Sequence, residues 1–351
     1  KSIHKIRQKM LENIMSEAQA ALFEKIVAET NKAVITAHSA PDGDAIGSSL
    51  ALAAYLHTRN TEVALVMPDS LPDFLMWLPG ASDIVCHDVA PEKAESLIAD
   101  ADTVFCLDFN DLSRINALGT MVKNSCARKV MVDHHPEPVF QPELRVCRPD
   151  LSSASEVVFR ILWQLGHFPA MTKDEAVCVY CGMMTDTGGF AYNSSSPEIY
   201  FIISELLTKG FDKDKVYRNV FNNYSKSRVR LTGYVLYNKL HFYPKLRACY
   251  YTLTGEEMRR FNFQRGDTEG LVNMPLVVKG MRLSIALRED TEGGKIRVSL
   301  RSVDDFPCNK MAAEFFNGGG HQNASGGELR CTMDEAVETV NHAVEAYAKL
   351  L

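Results

Sequence analysis

A chain of 351 residues is too long for one typical small domain and long enough for two, each with its own core. At 46% hydrophobic and 23% charged it has the composition of a soluble globular protein, and no apolar stretch approaches the roughly 18 residues a membrane helix needs. The formal charge of −6 hides no basic stripe: up to Val235 there are 23 Lys and Arg against 29 Asp and Glu, and from Leu236 onward 15 against 15. Proteins that grip long nucleic acid neutralise many phosphates and show such a stripe. Any phosphate-bearing ligand is therefore expected to be short and held locally, with neither a long duplex nor a membrane among the partners.

Residues 1–30 read as an amphipathic helix without the apolar core of an export signal, so a cytoplasmic protein is expected. Residues 33–37, 62–66, 103–107 and 129–132 are short β-branched or apolar runs, and they alternate with segments of helical periodicity such as 45–57. This alternation predicts an α/β fold, a mostly parallel sheet with helices on both faces. Between about 152 and 237 the spacing turns helical, at 157–165, 176–184, 199–207 and 229–236. Strands follow at 247–253, 281–287, 296–300 and 326–330, with helices near 307–316 and 333–350, which predicts a smaller α+β domain joined to the first by helices. No flexible linker is visible, so two domains facing across a cleft are expected. Nine scattered cysteines read as free thiols; Cys178 and Cys181 form a CxxC inside a helical pattern, with no second pair to complete a zinc site.

The chemistry is concentrated in five short motifs: ITAHSAPDGDAIGSS around His38, Asp42 and Asp44; FCLDFND around Asp108; VDHHPEP with Asp133, His134 and His135; TDTGGF with Asp186; and GGGHQNASGG from Gly318. The first three directly follow predicted strands, where open α/β sheets gather their ligand sites. Asp42 and Asp44, two apart around a glycine, can offer oxygens to two cations, or can mark a turn in which Asp44 caps the next helix. His38 beside them completes a donor set suited to manganese-like ions. Asp108 ends an apolar strand, where an unpaired carboxylate would cost several kcal/mol; it needs a cation, a salt bridge, or a helix near Leu112 to cap. Strand alternation keeps His134 and His135 from reaching one ion unless the backbone turns between them. Asp186 follows a helix predicted to end near Met184, beside Gly188 and Gly189. The glycines at 318–320 admit a phosphate oxygen to backbone N–H groups, or form a flexible hairpin.

Jointly the five motifs resemble the DHH-family phosphoesterases with the DHH-associated C-terminal domain, in the branch of bacterial oligoribonucleases and pAp phosphatases, from about residue 20 onward. The resemblance implies two divalent cations, Mn²⁺ in expectation. His38, Asp42 and Asp108 would hold one, and Asp44, Asp108, His134 and Asp186 the other, with Asp108 bridging. Asp108, Asp133 and His135 would be catalytic, Asp133 orienting a histidine and His135 facing the phosphate. Arg288, Arg301, Ser302, Gly318, Gly319, Gly320 and His321 would grip the substrate. The resemblance divides the chain into a catalytic domain at 1–195, connecting helices at 196–236 and a substrate-binding domain at 237–351. It implies hydrolysis of short oligoribonucleotides and of pAp. Cyclic-dinucleotide phosphodiesterase, pyrophosphatase or exopolyphosphatase, and silent nucleotide-binding regulator are the alternatives, and a homodimer is possible within it.

Overall fold

The computed structural model describes residues 11–351 apart from 265, 291 and 292, so the first ten residues of the predicted N-terminal helix lie outside it. Within the described part, residues 11–16 are not helical and the helix is Glu17–Glu29 (α1). Ser16 sets its start, because its hydroxyl accepts from the Gln19 amide while the Gln19 side chain accepts from the Ser16 amide, a closed capping box.

The chain divides into two compact units, Lys1–Asn223 and Tyr224–Leu351. The first carries strands Lys32–Ala37 (β1), Glu62–Met67 (β2), Val85–Cys86 (β3), Thr103–Leu107 (β4), Arg128–Asp133 (β5) and Leu144–Cys147 (β6). They form one all-parallel sheet in the order β3-β2-β1-β4-β5-β6. Its further helices are Gly43–His57 (α2), Pro91–Asp100 (α3), Ala117–Asn124 (α4), Ala154–Gln164 (α5), Lys173–Asp186 (α6), Pro197–Leu207 (α7) and Lys213–Phe221 (α8).

Strand alternation explains why helices cover both faces. Ile35, Phe105, Leu107, Val130 and Val132 point into a core with α2, α5 and α6, whereas Val34, Val66, Val104 and Cys106 meet the residues of α3 and α4 on the other side. Each such side chain taken fully from water contributes about 1.5–3 kcal/mol. Cys178 and Cys181 are part of the first core, and burial pushes both thiols up, as expected of inert packing cysteines.

The second unit holds His241–Phe242 (β7), Ala248–Leu253 (β8), Leu283–Asp290 (β9), Lys295–Ser302 (β10), Gly319–His321 (β11) and Ala324–Leu329 (β12), ordered β11-β12-β10-β9-β8-β7. Only β8 and β9 run parallel, so the sheet is mixed. Lys226–Tyr234 (α9), Gly255–Arg260 (α10), Cys308–Phe315 (α11) and Met333–Ala346 (α12) complete the unit. Leu283, Ile285, Val298 and Leu300 face Met311, Ala336 and Val340 on one side, while Tyr251 and Ala286 face Leu231 and Met258 on the other.

Candidate metal centre

Three neighbouring strands end at the same level. Ala37 pairs with Leu107, and Leu107 with Val132, so the next residues, His38, Asp108 and Asp133, form a row across the carboxyl ends of β1, β4 and β5. Adjacent strands lie about 4.8 Å apart, which brings side chains remote in sequence within reach of one another. The row also spans the point where chain order reverses, β1 having β2 on one side and β4 on the other. Open parallel sheets place their ligand crevice there. Asp108 takes up the left-handed backbone region, φ 60°, uncommon for a residue with a Cβ, and its amide donates to Val132 O at 3.1 Å.

Asp108, 2% exposed, is the hub. Its Oδ2 lies 3.3 Å from His38 Nε2, which is in turn 3.8 Å from Asp42 Oδ1. Its Oδ1 lies 3.3 Å from His134 Nε2 and 3.6 Å from His135 Nδ1. His134 Nε2 is also 3.6 Å from Asp186 Oδ2 and 3.9 Å from Asp44 Oδ2. The two oxygens of one carboxylate thus face two separate donor groups. The strand ends at Asp133 and the backbone turns, so the adjacent histidines both meet Asp108, their rings 4.8 Å apart. Asp133 Oδ1 accepts from the His134 amide and pairs with His135 Nδ1, each at 2.8 Å.

Three of these acids, Asp42, Asp44 and Asp186, sit at the ends of helices packed through glycines. A Cβ on Gly47 would lie 2.4 Å from Cys178 O, and one on Gly43 would lie 2.4 Å from Thr185 Oγ1, so only glycine lets α2 approach α6 this closely. The start of α2, with Asp42 and Asp44, therefore sits beside the end of α6. Asp186 is the last residue of that helix rather than part of a following loop, because the helix continues two residues past Met184. Asp42, not Asp44, caps α2: its Oδ1 accepts from the amides of Asp44 and Ala45 at 2.9 and 3.0 Å. Asp44 instead accepts at both oxygens from the first amides of α5, Ala154 at 2.6 Å and Ser155 at 2.8 Å, where a helix dipole favours negative charge. The short helix after Asp108 is capped by Asp111, which frees Asp108 from that duty.

The electrostatics describe a site short of positive charge. Burial opposes the charged imidazole of His38, but Asp108 and Asp42 override it and hold its pKa well above 6.5. His134, likewise against its burial, is held up to about 10 by Asp108, Asp186 and Asp44. Burial and the carboxylate of Asp108 push Asp44 well above the carboxylate range. Asp186 rises to about 7, through burial and then Asp42 and Asp108, although His134 draws it down. Burial also works against the Asp108 carboxylate, yet His134 and His38 hold its pKa well below 3.8. Asp108 Oδ1 and Asp133 Oδ2, both buried, meet no donor at hydrogen-bonding geometry among the described residues. A deep oxygen without a donor costs several kcal/mol; Asp133 Oδ2 carries that cost, whereas the His134 and His135 rings at 3.3 and 3.6 Å offset part of it at Asp108 Oδ1. The donors are oxygen and imidazole without thiolate, a set that suits a hard or borderline divalent cation.

The sequence-predicted contacts of the second unit fall on its sheet. Arg288 on β9 pairs with Arg297 on β10, and Arg301 lies on the same face as Arg297, so three guanidinium groups share one side. The Arg288 guanidinium lies 5.6 Å from the Phe263 ring, an aromatic neighbour that sequence reasoning missed. Ser302 is buried and its hydroxyl is engaged with Phe306 O at 2.9 Å and the Asn323 amide at 2.9 Å. Gly318 to His321 are not a loose loop: Gly319–His321 is the edge strand β11. A Cβ on Gly318 would lie 1.8 Å from Gly326 O and one on Gly320 would lie 2.6 Å from Ala324 O, whereas Gly319 has open space around it.

A parallel sheet whose strand tips gather acids and imidazoles around one carboxylate offers the donor set of a divalent-metal site. Residues 32–183 match the model of the DHH family, N-terminal domain, and residues 246–349 that of the DHHA1 domain. An exopolyphosphatase-related protein from Bacteroides fragilis, known from its crystal structure, is 49% identical, superposes with a TM-score of 0.92, and matches over 97% of this chain and 99% of its own. The bifunctional oligoribonuclease and PAP phosphatase NrnA of Thermus thermophilus is 29% identical over 91% of this chain and 93% of its own length. The cyclic-di-AMP phosphodiesterase GdpP of Bacillus subtilis is 23% identical over 92% of this chain, which spans 49% of that protein. The chain belongs to the DHH family of phosphoesterases.

Proposed function

We propose that this protein hydrolyses short oligoribonucleotides, from dinucleotides to about pentamers, to mononucleotides, and pAp to AMP. The observation that carries the reading is Asp108, buried, with each carboxylate oxygen turned to its own set of donors. Similarity to the Thermus oligoribonuclease and PAP phosphatase along nearly the whole of both chains supports the substrate class. In this reading His38, Asp42 and Asp108 hold one cation, Asp44, Asp108, His134 and Asp186 a second, and both are Mn²⁺. When bound, such a pair supplies Lewis acidity toward the attacking water and the departing oxygen.

The chain's own residues do the rest. Asp133 fixes the ring of His135 through the 2.8 Å contact, so that His135 presents a defined nitrogen to the phosphate. Asp44 ties the site to the start of α5, and Asp42 to α2, which fixes the donor set on two helices. Arg288, Arg301, His321 and the N–H groups around Gly319 hold the nucleotide, with Gly318, Gly320 and Ser302 shaping the strands that carry them. The buried thiols of Cys106, Cys178 and Cys181, which burial pushes up, support a reducing and hence cytoplasmic setting.

One panel tests this. Purified protein with Mn²⁺ should hydrolyse pAp and linear dinucleotides, EDTA should stop it, and Asp108→Ala should abolish turnover. Activity surviving in that variant sinks the shared-carboxylate reading. A second reading, pyrophosphatase or exopolyphosphatase, draws on the common face of Arg288, Arg297 and Arg301, although Arg297 is paired with Asp290 at 3.0 Å. Cleavage of pyrophosphate or polyphosphate alone in the same panel would select it, and preference for cyclic di-AMP would select the cyclic-dinucleotide branch.

A further inference from the structure

His38 and Asp42 reach the centre on a short limb beyond β1, and that limb is bent in a way that one of its residues does not favour. Ala40 stands at φ 52°, in the left-handed backbone region that an alanine seldom takes. The bend is imposed from both sides. Toward β4, the Ser39 amide donates to Arg114 O at 2.7 Å. Toward β2, the Ala40 amide donates to Asp69 Oδ2 at 2.6 Å. β2 ends at Met67, so Asp69 lies two residues past a strand tip, much as His38 and Asp108 lie one residue past theirs. In the parallel register that pairs Ile35 with Leu65, Asp69 falls level with Ser39. The limb in turn fixes the ring it carries: His38 Nδ1 pairs with Ser39 O at 2.9 Å, while Nε2 faces Asp108 at 3.3 Å.

We propose that Asp69 is a positioning residue for the first cation, an inference that rests on the two-cation reading above. It acts through the backbone between His38 and Asp42. A carboxylate that accepts from an amide makes a charge-assisted bond, stronger than one between neutral groups, and here that bond opposes the return of Ala40 to ordinary φ. Without it the limb is tied on the β4 side alone, and His38 and Asp42 lose the fixed spacing that a cation shared with Asp108 needs. The tie to Arg114 is made by a main-chain carbonyl, so Asp69 is the one that a side-chain substitution can cut. The second cation does not hang on this limb to the same degree, because Asp44 is anchored to the start of α5 and Asp186 stands on α6.

The test is Mn²⁺ binding to EDTA-treated protein, followed by the electron paramagnetic resonance of the free ion. Wild-type protein should take up two equivalents. Asp69→Ala should weaken one of them about 10- to 100-fold, the cost of losing an outer partner of a metal ligand, with the Tm of the metal-free protein unchanged. Asp69→Asn keeps an oxygen for the Ala40 amide and should restore most of that loss. Double variants locate the effect: Asp69→Ala should add little to His38→Ala but its full loss to Asp186→Ala, since residues acting through one limb couple and independent ones add. Full additivity in both backgrounds would overturn the proposal. So would unchanged binding of both equivalents, equal losses in the Ala and Asn variants, or a lowered metal-free Tm with both equivalents weakened alike, which would assign Asp69 to general packing. If wild-type protein binds no Mn²⁺, or if His38→Ala leaves its binding unaltered, the two-cation reading itself fails and takes the role of Asp69 with it.

Discussion

Asp133 serves two neighbouring histidines through a single carboxylate. One oxygen receives the His134 amide and the His135 ring, and the other meets no donor among the described residues. Its role in the proposed site is orientation. Asp133→Asn keeps an oxygen acceptor for the His134 amide and the His135 ring but removes the negative charge behind that ring, and changes of this kind lower metal affinity or activity about 10- to 100-fold. A Mn²⁺ titration of turnover, read beside an unaltered circular dichroism spectrum, checks this; unchanged Mn²⁺ affinity and kcat would remove Asp133 from the site. At this scale the sequence was legible wherever a polar residue followed an apolar strand, as His38, Asp108 and Asp133 do. It was silent on partners far apart in the chain. Nothing local to Asp44 announces that it receives the amides of Ala154 and Ser155, more than a hundred residues on.

Elements were legible in proportion to their burial. The four interior strands, β1, β2, β4 and β5, carry continuous apolar runs and stand out. The edge strands β3 and β6 are two and four residues long and partly exposed, too short for any period to register. The close crossing of α2 and α6 was hidden because a glycine inside a helical pattern reads as a weakness, whereas here Gly47 and Gly182 are sites of contact. In the second unit, α10 is held by a different device. Glu257 closes a capping box with Thr254 and also meets Lys239 at 2.8 Å and the Tyr234 hydroxyl at 2.7 Å. Although burial raises its pKa, the Lys239, Thr254 and Tyr234 contacts hold it down to about 2 from 4.5. A depressed carboxylate stabilises the fold above its unfolded pKa and loses that contribution as pH falls from about 4.5 to about 2. Glu257→Gln should therefore cost about 1–2 kcal/mol at pH 7, after allowing for solvent screening, and almost nothing near pH 2. Calorimetric Tm values for both proteins across that range check it, and a difference independent of pH would show that packing, not charge, holds α10.

For the whole molecule, length and composition announced two units and the absence of a basic stripe, but not the boundary. The segment 196–236, expected to connect two domains, is itself divided, α7 and α8 belonging to the first unit and α9 to the second. Helical periodicity reveals that a helix exists, not which core its apolar face enters, so the division could not be read from spacing. Charge carries further. With a net −6 and 15 cationic against 15 acidic residues from Leu236 onward, few Lys or Arg are available to neutralise a backbone. Each phosphate neutralised on a single strand contributes about −0.7 to the slope of log affinity against log salt. Two contacts, from Arg288 and Arg301, predict a slope near −1.4, so affinity for a linear dinucleotide should fall only about tenfold between about 50 and 300 mM KCl. A long single strand should show much the same slope and bind little more tightly, because the third guanidinium of that face, Arg297, is already paired with Asp290 at 3.0 Å. Fluorescence anisotropy of labelled oligoribonucleotides of increasing length, at several salt concentrations and with Ca²⁺ in place of Mn²⁺ to slow turnover, measures both quantities. A slope that steepens with length past about −4 would mean six or more phosphates are being neutralised, and the expectation of a short, locally held substrate would fall.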